Sequence, residues 1–423
     1  MPEQRVHQEG FTQVIVDSSV IFDDSIRENP TLQFQIFKRL DTPRLDIGSV
    51  GQLRWEQPKT LRLNEKKIMS ISKICIQTTL RKFLMVGIAV LIGVAANQTV
   101  AQDKEGSSKK ETESTEMINV LIVDGQNNHG NWPKSTVMMK QFLEESGKFK
   151  VDIQRTKYTC RGGKRLKEFP LEDGKVYEEL KNGKTDPDFA PVWSDYHVVI
   201  SNFGHGAAPW PEATQKSFVE FMKNGGGFVS VHAADNSFPK WKEYNQMIGL
   251  GGWGGRSEKS GPYVYMNDEG KLVRDKAKGR GGNHGPQHEF SLVIREDDHP
   301  ITKGLPSEFL HTKDELYEQL RGPAENMTIL ATSYAAKKYK GSGRHEPTMM
   351  TIDYEKGRVF HTTLGHADYS FECAGFITVM LRGTEWAATG KVTIPVPDDF
   401  PTADKSSSRK FKLKMEEKSA AGK

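Results

Sequence analysis

From residue 118 onward, short apolar runs alternate with stretches whose apolar residues recur every three or four positions, and the two periods predict strands and helices in turn. Residues 118–123 form the first strand, a polar loop follows, and 134–145 form a helix carrying Val137, Met138, Phe142 and Leu143. Residues 151–153 are a second strand and 198–201 a third. A helix over 212–223 puts Phe218, Phe221 and Met222 on one face and stops at Gly225-Gly226-Gly227, just before a strand at 228–231. Further strands fall at 290–294, 328–331, 349–352 and 359–362, the last two joined as a hairpin through Tyr354-Glu355-Lys356-Gly357. The closing helix places Cys373, Phe376, Ile377, Met380 and Leu381 at i, i+3, i+4, i+7 and i+8, so Cys373 faces inward. Unbroken apolar strands between amphipathic helices imply an α/β sheet covered on both faces. Residues 250–288 have no helical period and are rich in Gly and charge, which marks a long excursion beside a site, with one hairpin in it.

The pattern divides the chain. From Met69, basic Lys73, Arg81 and Lys82 precede an apolar run over 83–96 and a small residue at Ala101, the order of a secretory signal peptide. The run is short for a membrane span, and a retained anchor or a core helix is the competing reading. A leader over 69–101 implies export to the periplasm or beyond, with no membrane insertion after cleavage. Residues 1–68 then read as a start placed upstream of the true one, an extended leader being the alternative. Residues 102–116 are charged and Ser-rich, the composition of a disordered spacer. The working domain is expected over 117–395, and 396–423 as a basic, flexible tail.

The formal net charge of the whole chain is only +4, which asks for neither nucleic acid nor an anionic membrane. Of three cysteines, Cys75 would leave with the leader. Cys160 and Cys373 could form one bridge, not a disulfide scaffold.

Candidate chemistry lies in the loops that follow the strands, because an open α/β sheet binds its ligands beyond the carboxyl ends of its strands. The first strand runs into Asp124, Asn128, His129 and Trp132, the third into Asn202 and His205, the next into His232 and Asp235, and a late one into His366 and Asp368. Four strands that deliver imidazoles and carboxylates or amides to one edge imply a polar pocket there. Such a pocket can bind metal, move protons or hold a hydroxyl-rich ligand, and the spacing does not select among these. There is no HExxH and no pair of CxxC, so no cofactor is signalled; a divalent metal is permitted, with His129, His232 and His366 as its candidate ligands. Trp132, Phe203, Trp210, Phe238, Trp241 and Trp253 could stack on a sugar ring, with loop packing the plainer role for each. The Gly-rich stretches lack the strand-turn-helix setting of a nucleotide loop.

The segments INVLIVDGQNNHGNWP (118–133), GGGFVSVHAADN (225–236), HPITKGLP with DELY (299–317) and GRVFHTTLGHAD leading into RGTEWAATG (357–390) resemble the ThuA-like, trehalose-utilisation family of the class I glutamine-amidotransferase-like superfamily. The resemblance implies a flavodoxin-like, doubly wound, mostly parallel sheet and a place in carbohydrate metabolism. The superfamily's nucleophilic Cys would fall on the turn after 228–231, where this chain reads Val231-His232-Ala233-Ala234, so a Cys-dependent amidotransferase is not expected. His366 occupies the position of the superfamily's His. The implied enzyme modifies a sugar or keto-sugar, with His232 and His366 exchanging protons, Asp124 or Asp235 orienting them and Glu315 assisting. Asn128, His129, Trp132, His205 and Trp253 would bind the carbohydrate. The other reading is a non-catalytic carbohydrate-binding protein on the same fold. Both require Asp124, His129, His232 and His366 to share one cavity.

Overall fold

A computed structural model describes residues 117–414. The expected leader, spacer and upstream segment, and the last residues of the tail, lie outside the described residues. In chain order the strands are β1 (Ile118–Gln126), β2 (Phe149–Cys160), β3 (Glu178–Leu180), β4 (Val198–Ser201), β5 (Gly227–Val231), β6 (Tyr263–Met266), β7 (Leu272–Asp275), β8 (Asn283–His284), β9 (His288–Ile294), β10 (Glu308–Asp314), β11 (Tyr317–Glu318), β12 (Met327–Tyr334), β13 (His345–Tyr354) and β14 (Gly357–Thr362). The helices are α1 (Trp132–Glu145), α2 (Lys164–Glu168), α3 (Glu212–Lys223), α4 (Lys242–Ile248), α5 (Asp368–Phe371) and α6 (Ala374–Thr389).

The main sheet runs β10-β9-β12-β13-β14-β5-β4-β1-β2-β3. From β14 to β3 every neighbouring pair is parallel. From β14 outward to β10 every pair is antiparallel. The parallel part is the expected sheet, and its strands are buried on both faces. Val120 and Ile122 of β1 pack into the core beneath α1 and α6, while Leu121 and Val123 pack into the one beneath α3 and α4. Each fully buried Val, Leu or Ile contributes about 1.5–3 kcal/mol, so the alternation holds the strand between two helical layers. After β1 the chain goes to β2 and β3 on one side and returns to β4 on the other. Loops therefore diverge at the carboxyl ends of β1 and β4, where such sheets open a crevice.

The predicted elements fall where expected, with three differences. The second strand is far longer than 151–153, because alternate positions of β2 face solvent and its apolar run is broken. β10 gives little apolar signal because two of its inward positions are His311 and Asp314. α4 spans only seven residues, too few for a period to show. The excursion over 250–288 contains the expected hairpin, β6 with β7, and its end at β8 pairs with β11.

Residues 396–414 depart from the expected flexible tail. Pro401 and Phe400 are buried, Ala374 donates its backbone N–H to the Ser407 carbonyl at 2.9 Å, and Arg409 donates to the Glu372 carbonyl at 2.7 Å. Basic composition concealed this, because the contacts are made largely by backbone. Cys160 and Cys373 are both free thiols and buried. No helix among the described residues is long and apolar enough to cross a membrane.

Candidate functional site

Three loops of the parallel sheet and one of the antiparallel part meet at the carboxyl edge of the strands. The loop after β1 is folded by Asn127, whose side-chain oxygen accepts the His129 backbone N–H at 2.9 Å while its amide donates to the carbonyls of Asn202 and Phe203 at 3.1 and 3.0 Å. That lashes the loops after β1 and β4 together and sets His129 in place. His232 follows β5 in a left-handed conformation, φ 45°, which costs a non-glycine residue about 1–3 kcal/mol and persists only where the surroundings impose it. Its Nδ1 lies 2.7 Å from the Thr363 carbonyl, which must accept, so Nδ1 carries the proton and Nε2 presents a lone pair. That Nε2 is buried and has no hydrogen-bond partner.

His366 and Glu315 are positioned by a residue the sequence reading passed over. The carboxylate of Asp314, wholly buried, accepts the backbone N–H groups of Glu315, Gly365 and His366 at 2.8, 2.8 and 3.1 Å, and its Oδ2 lies 2.8 Å from His311 Nε2. Gly365 takes φ 117°, open to glycine, and a Cβ there would press on Phe371 and Val231. Burial opposes ionisation of Asp314, but the His311 bond and charge hold its carboxyl at about 2. Asp314 stood within DELY in the sequence; only the tertiary fold shows that it ties β10 to the loop after β14.

One donor atom from each of His129, His232, Glu315 and His366 lies within 4.8 Å of the other three. Glu315 Oε2 is 3.0 Å from His366 Nδ1 and 3.8 Å from Nε2 of both His129 and His232. The His129 ring is 4.5 Å from that of His366 and 4.9 Å from that of His232. Burial, with His232 and His366 beside it, pushes the His129 imidazole down to about 2, and burial likewise lowers His232. Burial resists the charge on Glu315, yet contact with His366 and the neighbouring imidazoles hold its carboxyl at about 2. At neutral pH the site thus presents an ionised carboxylate and uncharged His129 and His232. A cavity of ≈ 10 Å³ opens among Asn127, His129, Trp132, Asn202, His232 and His366. That is room for about one water-sized occupant, so any larger molecule would engage the site from its mouth.

The remaining expectations divide. Asn128 is half-buried beside His129, its amide nitrogen 3.1 Å from Nε2 and its oxygen accepting the His205 backbone N–H at 2.7 Å. Trp253 sits at the rim, its ring 4.8 Å from Tyr317 and 5.9 Å from His284. Asp124 is not in the cavity: Arg155 grips it through two bonds of 2.9 Å and Thr136 donates to it at 2.7 Å, which leaves a saturated structural ion pair. Asp235 turns into a buried pair with His361, 3.4 Å away. His205 contributes its backbone only and exposes its ring. Trp132 lines the cavity wall but is 1% exposed, its indole N–H bound to the Cys160 carbonyl at 3.0 Å, so it has no free face for a sugar. Phe203, Trp210, Phe238 and Trp241 pack against one another in the core.

Two contributors went unread in sequence. Tyr317 stacks on His232 at 4.2 Å and fixes the plane of that ring. His284, on the Gly-rich excursion, brings Nδ1 to 3.8 Å from Glu315 Oε1 and stays partly exposed. A His inside GRGGNHG, at the end of a loop expected near the site, was the available signal.

A family described as trehalose utilisation matches residues 184–387. The structure of a ThuA-like protein from Parabacteroides merdae ATCC 43184 is similar at 46% identity and a TM-score of 0.62, over 70% of this chain and 98% of that one. A ThuA-like protein from Bacteroides uniformis ATCC 8492 is similar at 17% identity and a TM-score of 0.40, over 65% and 93%. Cytoplasmic protein STM1381 from Salmonella typhimurium LT2 follows at 12% identity and a TM-score of 0.35, over 64% and 99%. No curated protein matches this chain.

Proposed function

Because the chain belongs to the ThuA, or trehalose-utilisation, family, we propose that it is an exported enzyme acting on a sugar or keto-sugar at the His129–His232–Glu315–His366 cluster. The observation that carries the reading is the convergence of those four side chains, from four separate loops, within 4.8 Å. A carboxylate beside the imidazoles of His129 and His232, both of lowered basicity, supplies hydrogen-bond acceptors aimed at one point, the arrangement needed to take up the proton of a hydroxyl or of the carbon beside a carbonyl. Asp314 and His311 replace Asp124 and Asp235 as the groups that orient the reactive side chains. Half-buried Trp253 packs on Tyr317, which in turn stacks on His232, and its indole face can stack on a sugar ring. Asn128, beside His129, offers a polar contact to a hydroxyl. Export rests on the leader read at 69–101, and N-terminal sequencing of the mature protein tests it.

The activity test is turnover and calorimetry on trehalose, other disaccharides and their keto derivatives. Conversion that falls by about 10²–10⁴-fold in Glu315→Gln and His366→Ala, the usual share of a positioned acid or base, supports an enzyme. Heat of binding without conversion in the wild-type chain overturns the catalytic reading and leaves a carbohydrate-binding protein.

A further inference from the structure

We infer that His129, His232, Glu315 and His366 are the ligands of one divalent first-row transition-metal ion. The inference deepens the site assignment above, since the four side chains would then engage substrate through the ion; it does not depend on turnover.

The donor set is the first ground. Three imidazoles and one carboxylate suit Zn, Fe, Mn or Co, and oxygen-seeking Mg or Ca would call for more carboxylates and carbonyls. The second ground is distance. Donors about 2.0–2.2 Å from a common ion lie ~3.4 Å apart at the tetrahedral angle and at most ~4.4 Å when opposite one another. These four lie within 4.8 Å, with separations of 3.0 and 3.8 Å from Glu315 to its neighbours, so side-chain shifts of about 1 Å close the shell.

The third ground is an unanswered lone pair. His232 Nε2 is buried without a hydrogen-bond partner, and its tautomer is fixed because Nδ1 donates to Thr363. His366 Nδ1 is also buried and, though 3.0 Å from Glu315 Oε2, lacks hydrogen-bond geometry to it. Acceptor atoms that face one another at this range repel unless a cation lies between them. A native fold rarely leaves such atoms unmet.

The fourth ground is the layer behind the ligands. His232 is oriented by the Thr363 carbonyl, while Glu315 and His366 are held through their backbone N–H groups by the single carboxylate of Asp314. Metal centres are built this way, with ligands fixed by partners that do not touch the ion. When bound, the ion would supply a Lewis acid for a substrate hydroxyl or carbonyl oxygen.

The test uses the purified chain, stripped by dialysis against chelator and titrated with Zn(II), Mn(II) and Co(II) alone, with elemental analysis and the visible spectrum of the Co(II) form. The expected result is one ion per chain. His129→Ala and Glu315→Gln should each weaken binding by more than the ~10–100-fold typical of losing a partner behind the ligands. His129 is half-buried and Glu315 buried, Gln keeps the size of Glu, and melting of the stripped proteins checks that both variants are folded. His205→Ala should bind as the wild type does. Stoichiometry far below one, or unchanged affinity in both ligand variants, overturns the inference. A chain that takes up no ion yet converts sugar refutes the metal while sparing the site, and one ion bound without conversion does the reverse.

Discussion

Two buried polar clusters sit at the carboxyl edge of the same sheet and draw on the same kinds of loop. Around Asp124, Arg155 supplies two hydrogen bonds, Thr136 a third, and Asn202 in turn donates to Thr136 at 2.9 Å. Around Glu315, four imidazoles approach to 3.0–3.8 Å and buried nitrogens remain without partners. In the first cluster charge and hydrogen bonding close on themselves; in the second they are left open. The difference teaches that a buried carboxylate beside a strand end is functional or structural according to what saturates it. The first cluster carries the sheet and the second is free to receive something from outside.

The largest effect should come from breaking the closed cluster. Arg155→Ala strands a buried Asp124 carboxylate, and loss of one partner of a buried pair costs about 3–5 kcal/mol, so thermal or urea unfolding should show a marked loss of stability. The open cluster should respond oppositely, with Glu315→Gln lowering turnover and metal affinity by the factors given above while shifting the melting temperature little. A stable Arg155→Ala protein would break the distinction.

Asp314→Asn probes the seam between the halves of the sheet. It removes a charged acceptor from three backbone donors and from His311, and hydrogen bonds to charged groups are worth about 1.5–3 kcal/mol, so a loss near that range is expected in urea unfolding. Its signature is that metal affinity falls alongside stability, because His366 and Glu315 lose their common anchor.

The smallest effect concerns an imidazole outside both clusters. Burial lowers His299 to about 4 from 6.5, and its Nδ1 accepts the Ile301 N–H at 3.2 Å. A pKa depressed in the folded state contributes stability that is complete above pH 6.5 and is lost as pH falls toward 4. Melting temperature plotted against pH should therefore slope less steeply over that window in His299→Asn. An unchanged slope would mean that burial alone does not lower an imidazole in this fold.

The quoted segments read differently once folded. HPITKGLP and RGTEWAATG carry the family resemblance, and they meet each other: buried Arg382 donates to the carbonyls of Pro300, Ile301, Lys303 and Ile394 at 2.7–2.9 Å. They brace α6 against the segment before β10 and touch none of the four clustered side chains. By contrast DELY carries both Asp314 and Glu315.

Sequence alone determined the parallel core, since strands buried on both faces must be apolar throughout and their helices must carry a stripe, both short-range consequences of period. It also determined which loops end at the functional edge, and so named His129, His232 and His366. The tertiary structure decided which polar side chains are closed off and which are left open: Asp124 is saturated by Arg155, 31 residues away, while Glu315 only meets imidazoles from loops that follow β1, β5 and β14. Hydrogen bonds and ion pairs act over a few ångströms, between residues whose separation along the chain says nothing of their separation in space.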